Sequence, residues 1–197
     1  TERARGALVA INEELTQRVR EVQALQEALR QQATQDPLTG LFNRRHLNDT
    51  LPQLHALARR AGAPLALVII DLDHFKQVND QHGHAAGDRL LAAFGEMLAA
   101  ESRRSDVACR YGGEEFCLLM PRTDAAAARR KAQALLRRWR AMRFEHGGTA
   151  LAGLSFSAGA ADTDLAPGSP DQLLKAADDA LLAAKRAGRG RIETAGE

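Results

Sequence analysis

The sequence predicts an α/β domain preceded by a long helix, on the strength of three features. Leu65-Ala66-Leu67-Val68-Ile69-Ile70 is an unbroken apolar run, the pattern of a strand buried on both faces of a sheet. Helical stretches alternate with strand-like runs through the rest of the chain. Ahead of them, Leu8, Ile11, Leu15, Val22, Leu25 and Leu29 keep heptad spacing, with Arg18 and Gln32 in the remaining seam positions.

With 197 residues and 45% hydrophobic content, the chain can bury one sizeable core plus an appendage. A formal charge of +2 is too small to imply a nucleic-acid partner. No run of 18 apolar residues and no signal-peptide pattern is present, so no membrane contact and a cytoplasmic location are expected. Thr1 opens inside a helical pattern, which suggests a piece of something longer. The only cysteines, Cys109 and Cys117, read as small buried thiols.

A helix with one apolar stripe must cover it, each buried Leu or Ile contributing roughly 1.5–3 kcal/mol. For residues 1–35 this means a parallel coiled coil joining two copies, or a helix folded back on its own domain. In the coiled coil, Arg18 would fix register at some cost in stability. The helix should stop at Asp36-Pro37, because the residue before proline avoids the α region.

Asp36-Pro37-Leu38-Thr39-Gly40-Leu41-Phe42-Asn43 reads as a compact joint, with Asn43 capping a helix to about Arg60. After Ala63-Pro64 comes the apolar strand, ending in Asp71-Leu72-Asp73-His74-Phe75-Lys76-Gln77-Val78-Asn79-Asp80. Open α/β sheets place ligands at such strand ends. A calcium hand is rejected, since Phe75 takes a ligand position and His82 stands where the bidentate Glu belongs. Zinc is set aside because His74, His82 and His84 lack a helical i, i+4 pair facing a third ligand.

A helix is expected from about Asp88 to Ala100, then a basic linker over Ser102–Asp106. Thr123 or Asp124 caps a long helix reaching Arg143, and Leu151–Ala160 reads as a strand. Pro167-Gly168-Ser169-Pro170 is a loop, and Asp171 caps a helix through about Ala187, ended by Gly188. Arg191-Ile192-Glu193-Thr194 completes four or five strands.

Between linker and long helix lies Arg110-Tyr111-Gly112-Gly113-Glu114-Glu115-Phe116, which reads as a hairpin turned by its glycines. Adjacent carboxylates repel unless a cation or proton sits between them. Glu114 and Glu115 therefore point to a metal, with ordinary solvated acids at a hairpin tip as the alternative.

In order, Asp36 to Arg45, Asp71 to Asp88, Arg110 to Phe116, Ser157-Ala158-Gly159-Ala160 and Ala184 to Arg189 resemble the GGDEF domain of bacterial diguanylate cyclases, here as a GGEEF variant. The resemblance covers residues 36 to about 194. It implies a central, mostly antiparallel sheet flanked by helices, like the palm of nucleotide cyclases and polymerases. The implied reaction joins two GTP into cyclic di-GMP and releases two pyrophosphates.

The resemblance also implies roles. Asp71, Glu114, Glu115 and the backbone oxygen of Leu72 would hold Mg²⁺, with Mn²⁺ able to substitute. Glu114, Glu115 and Lys76 would be catalytic, Glu114 being the candidate general base, although a metal-bound glutamate is a poor base at neutral pH. Asn79 and Asp88 would read guanine with His84 in support, an ordinary helix N-cap being the other reading of Asp88. Lys76, Lys185 and Arg189 would contact phosphates, with amides around His74 and Phe75. Without the resemblance, Lys185 and Arg189 would be plain charges at a helix C-terminus.

Arg103 and Asp106 match an Arg-x-x-Asp site at which cyclic di-GMP inhibits, with Arg129, Arg130 or Arg137 as the second arginine. A single set of base-reading residues implies one GTP per domain, hence a homodimer through the N-terminal helix, driven by an upstream sensor. The rival is a catalytically idle module binding GTP or cyclic di-GMP, against which the retained Asp71, Glu114 and Glu115 argue. The chain departs from the family pattern at Leu182, often Tyr, and Gly190, usually Asn.

Overall fold

The computed structural model describes residues 2–151 and 153–196, and its contacts divide the chain into two units that meet in sequence between Gln35 and Asp36. The first is helix α1, Glu2–Thr34. Its seam residues Leu15 (60%), Val22 (53%), Leu25 (65%) and Leu29 (64%) are largely exposed. Arg18 pairs along the helix with Glu14 at 3.7 Å. The side chains of Leu8 and Ile11, also assigned to the seam, lie outside the described residues.

In the second unit, β1 (Phe42–Asn43) leads into α2 (Arg44–Ala61), where the Asn43 side chain accepts the His46 N–H at 3.0 Å. Gly62, at φ 58°, closes α2 in the left-handed conformation that glycine adopts freely. Strand β2 (Leu65–Leu72) is followed by α3 (Phe75–His82) and α4 (His84–Glu101). Strands β3 (Val107–Arg110) and β4 (Glu115–Pro121) precede α5 (Ala125–Ala141). A small hairpin, β5 (Phe144–His146) with β6 (Thr149–Leu151), leads to β7 (Phe156–Asp162), α6 (Pro170–Arg186) and β8 (Ile192–Thr194).

The main sheet runs β1-β3-β4-β2-β7-β8. Its inner pairings are antiparallel and its two edge pairings parallel, which is the mostly antiparallel sheet expected. Cys109 faces Cys117 across β3 and β4, and both thiols are free and buried. Burial pushes the Cys109 thiol up to about 12, which leaves it an unreactive core side chain.

Each face of the sheet carries a core. On one, Val68, Ile70, Leu118 and Phe156 pack with Phe94 of α4 and Trp139 of α5. Phe94 is the hub, its ring 4.7–5.5 Å from those of Phe116, Trp139 and Phe156. On the other, Leu67, Ile69, Cys117 and Leu119 meet Leu47 and Leu51 of α2 and Leu173, Ala177 and Leu181 of α6.

Several expectations are corrected. The acidic stretch after β2 is helical from Phe75, and α4 begins at His84, so Asp88 lies inside α4 and is not its N-cap. Asp124 caps α5, but α6 is capped by Ser169, in a capping box with Gln172, and Asp171 falls in the first turn. Pro170 takes the first helical position, which puts the cap at Ser169, two residues before Asp171. The strand expected over Leu151–Ala160 is two strands, β6 ending at Leu151 and β7 starting at Phe156. Strands β1 and β5 were not anticipated.

Helix α6 sits against β7 where Gly159 has no side chain; a Cβ there would collide with the backbone of Ala177, Ala180 and Leu181. The Gly159→Ala variant should lose about 1–3 kcal/mol to overpacking. Urea unfolding would show a lower midpoint at unchanged slope, and an unchanged midpoint would refute the close approach.

Candidate active site

The register of the inner strands sets the centre of the site. Asp71 lies directly opposite Glu115 on one side and Ser157 on the other. Opposite residues of an antiparallel pair share a face, so two carboxylates stand together at the end of the sheet. The Leu72 N–H donates to the Glu114 carbonyl at 3.2 Å, tying the hairpin to the strand end. Burial, and then the Asp71 charge, push the Glu115 carboxyl above its usual range, with Lys185 opposing.

Lys185 continues the buried stripe of α6 past Leu181 and reaches the sheet end. Its Nζ donates to Asp71 Oδ2 at 2.6 Å, with the lysine 30% and the aspartate 13% exposed. A cation is thus already held against the acids. Among the described residues no group of three or more His, Cys, Asp or Glu side chains is gathered tightly enough to hold a metal ion. The donor set nonetheless fits a hard divalent cation, being carboxylate oxygens whose mutual repulsion calls for positive charge.

Asp71, Leu72, Phe75, Lys76, Glu114, Lys185 and Arg189 line one cleft of about 450 Å³, a size suited to a small-molecule site. His74, at φ 59°, turns the chain into α3 and provides no side-chain cap, so the cleft borders an uncapped helix start. Such an end attracts phosphate.

Asn79 and Asp88 lie on the adjoining helices α3 and α4. Asn79 Oδ1 is buried with no hydrogen-bond partner, pressed on Gly87, where a Cβ would collide with it. A buried amide oxygen without a partner marks a place where a ligand can complete the bonding. His84 is exposed at the first position of α4.

The hairpin is fixed from behind by Arg110. Its NH1 contacts both Asp36 carboxylate oxygens at 3.2 Å, while Nε and NH2 donate to the Gly113 carbonyl at 3.2 and 2.9 Å. Asp36 also accepts from the Thr39 N–H at 2.9 Å and its hydroxyl at 2.8 Å. Thr39 is buried beneath α4, where a Cβ on Gly95 would meet it at 2.7 Å. Sequence reading placed the Asp36 turn as a joint but gave no sign of this link across 74 residues.

Arg103 and Asp106 form an exposed turn, the Arg103 N–H donating to Asp106 Oδ2 at 2.9 Å. Of the arginines considered beside them, Arg129 and Arg137 line a cavity with Gly190 and Arg191, and Arg129 and Arg130 line another with Asp124 and Asp162. The cations that α5 sends to the end of α4 are Lys131, bonded to the Glu101 carbonyl, and Arg138, paired with the Glu101 carboxylate. Nothing in the local sequence marks either residue. Leu182 is 44% exposed, and Gly190, at φ 60°, holds a left-handed conformation that asparagine also tolerates.

The family profile described as "Diguanylate cyclase, GGDEF domain" matches residues 33–191, and the chain belongs to that family. It is 38% identical over 193 residues to the diguanylate cyclase DgcP of Pseudomonas aeruginosa, covering 96% of this chain and 28% of DgcP. It is 40% identical over 167 residues to the response regulator PleD of Caulobacter vibrioides, covering 81% of this chain and 36% of PleD. The chain thus spans about a third of the length of these curated relatives. Among solved structures, the coiled coil and GGDEF domain of DgcB from Caulobacter crescentus, in complex with c-di-GMP, superposes with a TM-score of 0.86 at 29% identity, covering 95% of this chain and 99% of that one. SiaD of Pseudomonas aeruginosa, in complex with its activator SiaC, gives 0.80 at 35% identity, covering 98% of this chain and 72% of that one.

Burial alone would raise the Asp36 carboxyl, but the Thr39 hydrogen bonds and the Arg110 guanidinium outweigh it and hold the group below its ordinary value. A depressed folded-state value stabilises the fold above the unfolded value of about 3.9, and that contribution fades as pH falls through the folded value. Asp36→Asn should therefore cost about 1–3 kcal/mol at pH 7, and the deficit should shrink as the pH drops below about 4. Urea unfolding across that range checks it; a deficit independent of pH would exclude the carboxylate as the source.

Proposed function

We propose that residues 36–197 form a diguanylate cyclase domain that condenses two GTP into cyclic di-GMP with release of two pyrophosphates, and that residues 1–35 join two copies as a coiled coil. The observation that carries this reading is Asp71, facing Glu115 at the end of two central strands and lining one cleft with Glu114, Lys76, Lys185 and Arg189. DgcB, so similar in structure, was solved with c-di-GMP bound.

Two Mg²⁺ ions, or Mn²⁺ in their place, would be held by Asp71, Glu114, Glu115 and the Leu72 carbonyl, and would activate the 3′-hydroxyl and neutralise the departing pyrophosphate. The protein's own groups do the rest. Asp88 accepts from guanine N1–H and the 2-amino group, donors that adenine lacks, and Asn79 pairs with the remaining edge, with His84 beside them. The first turn of α3, through Phe75 and Lys76, meets the triphosphate, and Lys76 offsets charge at the transferring phosphorus. Lys185 exchanges Asp71 for phosphate oxygen as the nucleotide enters, and Arg189 grips the same chain of phosphates.

Each domain presents one such set, so the two bonds form where two domains face each other. The exposed stripe Leu15, Val22, Leu25 and Leu29 supports pairing through α1, which raises the local concentration of the second domain. An upstream sensor would act through that helix in the cytoplasm. Among the described residues no helix is long and apolar enough to cross a membrane. Cyclic di-GMP would inhibit at the turn of Arg103 and Asp106.

Incubation with GTP, ATP and Mg²⁺ followed by chromatography of the products tests the reading. Cyclic di-GMP and pyrophosphate should form from GTP alone, and EDTA should stop the reaction. Glu114→Gln should lower turnover at least about 100-fold at unchanged thermal stability. GTP binding without product would instead identify an idle signalling module. In the same assay Arg103→Ala should weaken product inhibition by about tenfold or more while leaving the initial rate intact; unaltered inhibition would remove the site from the turn.

A further inference from the structure

The second aspartate at the end of β2 has no part in the chemistry above. Asp73 does not line the GTP cleft; it borders the neighbouring cavity of about 360 Å³ together with Gln81, Trp139 and Leu154. Its carboxylate is occupied on both oxygens. Oδ1 accepts from the Ser157 hydroxyl at 2.7 Å and Oδ2 from the Gly190 N–H at 3.0 Å. Ser157 is fully buried, and its Oγ also lies 3.2 Å from the Gly190 nitrogen. The Asp73 N–H donates to the Ser155 carbonyl at 3.0 Å, so the aspartate itself is anchored.

What it holds is the segment just after α6. Gly188, Arg189 and Gly190 have φ of 105°, 63° and 60° in succession. Glycine takes these values freely, but an L-residue such as Arg189 keeps one only where its surroundings impose it. Arg140 donates to the Gly190 carbonyl at 2.8 Å, so this residue is gripped at its N–H by a carboxylate and at its C=O by a guanidinium. A Cβ on Gly190 would collide with that same Arg140 and stand 3.0 Å from Ser155 Oγ.

We propose that Asp73 is a positioning residue for phosphate binding: with Ser157 it clamps Gly190 and thereby holds Arg189 over the cleft, touching neither nucleotide nor metal. This rests on the reading of Arg189 as a phosphate contact. The two aspartates of the strand end then divide the labour, Asp71 supplying charge at the reacting centre and Asp73 fixing the cation that faces it. A carboxylate is needed because it alone accepts from both donors; an amide would turn an NH₂ toward one of them.

The test compares Asp73→Ala, Ser157→Ala, Arg189→Ala and the Asp73→Ala/Arg189→Ala double variant. GTP affinity is read by calorimetry with Ca²⁺ replacing Mg²⁺, and KM and kcat by product formation. Asp73→Ala should weaken GTP binding and raise KM about tenfold, with kcat changed much less, and Ser157→Ala should do the same by about threefold. The double variant should bind no worse than Arg189→Ala alone, because the aspartate acts only through that arginine. Additive losses, or a raised Mg²⁺ requirement in Asp73→Ala, would overturn the assignment. Should Asp73→Ala fail to fold, Ser157→Ala and Asp73→Asn, each expected between wild type and Arg189→Ala, decide it. Wild-type GTP binding without cyclic product would overturn the proposed reaction while the binding comparison still judged the clamp.

Discussion

The site depends on one electrostatic constraint: the β2–β4 register sets the Asp71 and Glu115 carboxylates side by side where the sheet ends. Partial burial of Glu115 and the Asp71 charge beside it both work against its ionised form. A positive charge must therefore stand against them, and the fold brings the Lys185 ammonium there. That reach depends on α6 lying close to β7, which depends in turn on Gly159 having no side chain. Backbone packing and charge balance are thus parts of one arrangement.

Most of the domain was legible in sequence wherever a feature is local. The apolar run at 65–70 is strand β2, the paired glycines turn a hairpin, and Asn43 and Asp124 cap their helices. Helix α3 escaped because Phe75 is its only buried residue, leaving little periodicity to read. Strands of two or three residues such as β1 and β5 carry no alternation at all. Asp171 reads as the cap of α6 by residue type alone, but Pro170 occupies the first helical position, so Ser169 before it is the cap.

For the candidate site, the sequence supplies a list of residues and says nothing of how they are joined. Motif spacing picked out Asp71, Lys76, Glu114, Lys185 and Arg189, and these do line one cleft. The bonds that organise them join residues far apart in the chain: Lys185 to Asp71 across 114 positions, and Gly190 to Asp73 across 117. No local pattern encodes such pairs. The same holds for Lys131 and Arg138, whose meeting with Glu101 follows from how α5 lies on α4.

Arg110 has a mechanical consequence. One guanidinium joins the turn where the domain begins, at Asp36, to the tip of the acidic hairpin, at Gly113. Four hydrogen bonds through one planar, stiff group tie the two together. A displacement of the entry turn would therefore bear directly on the hairpin that carries Glu114 and Glu115, as a rudder follows its tiller.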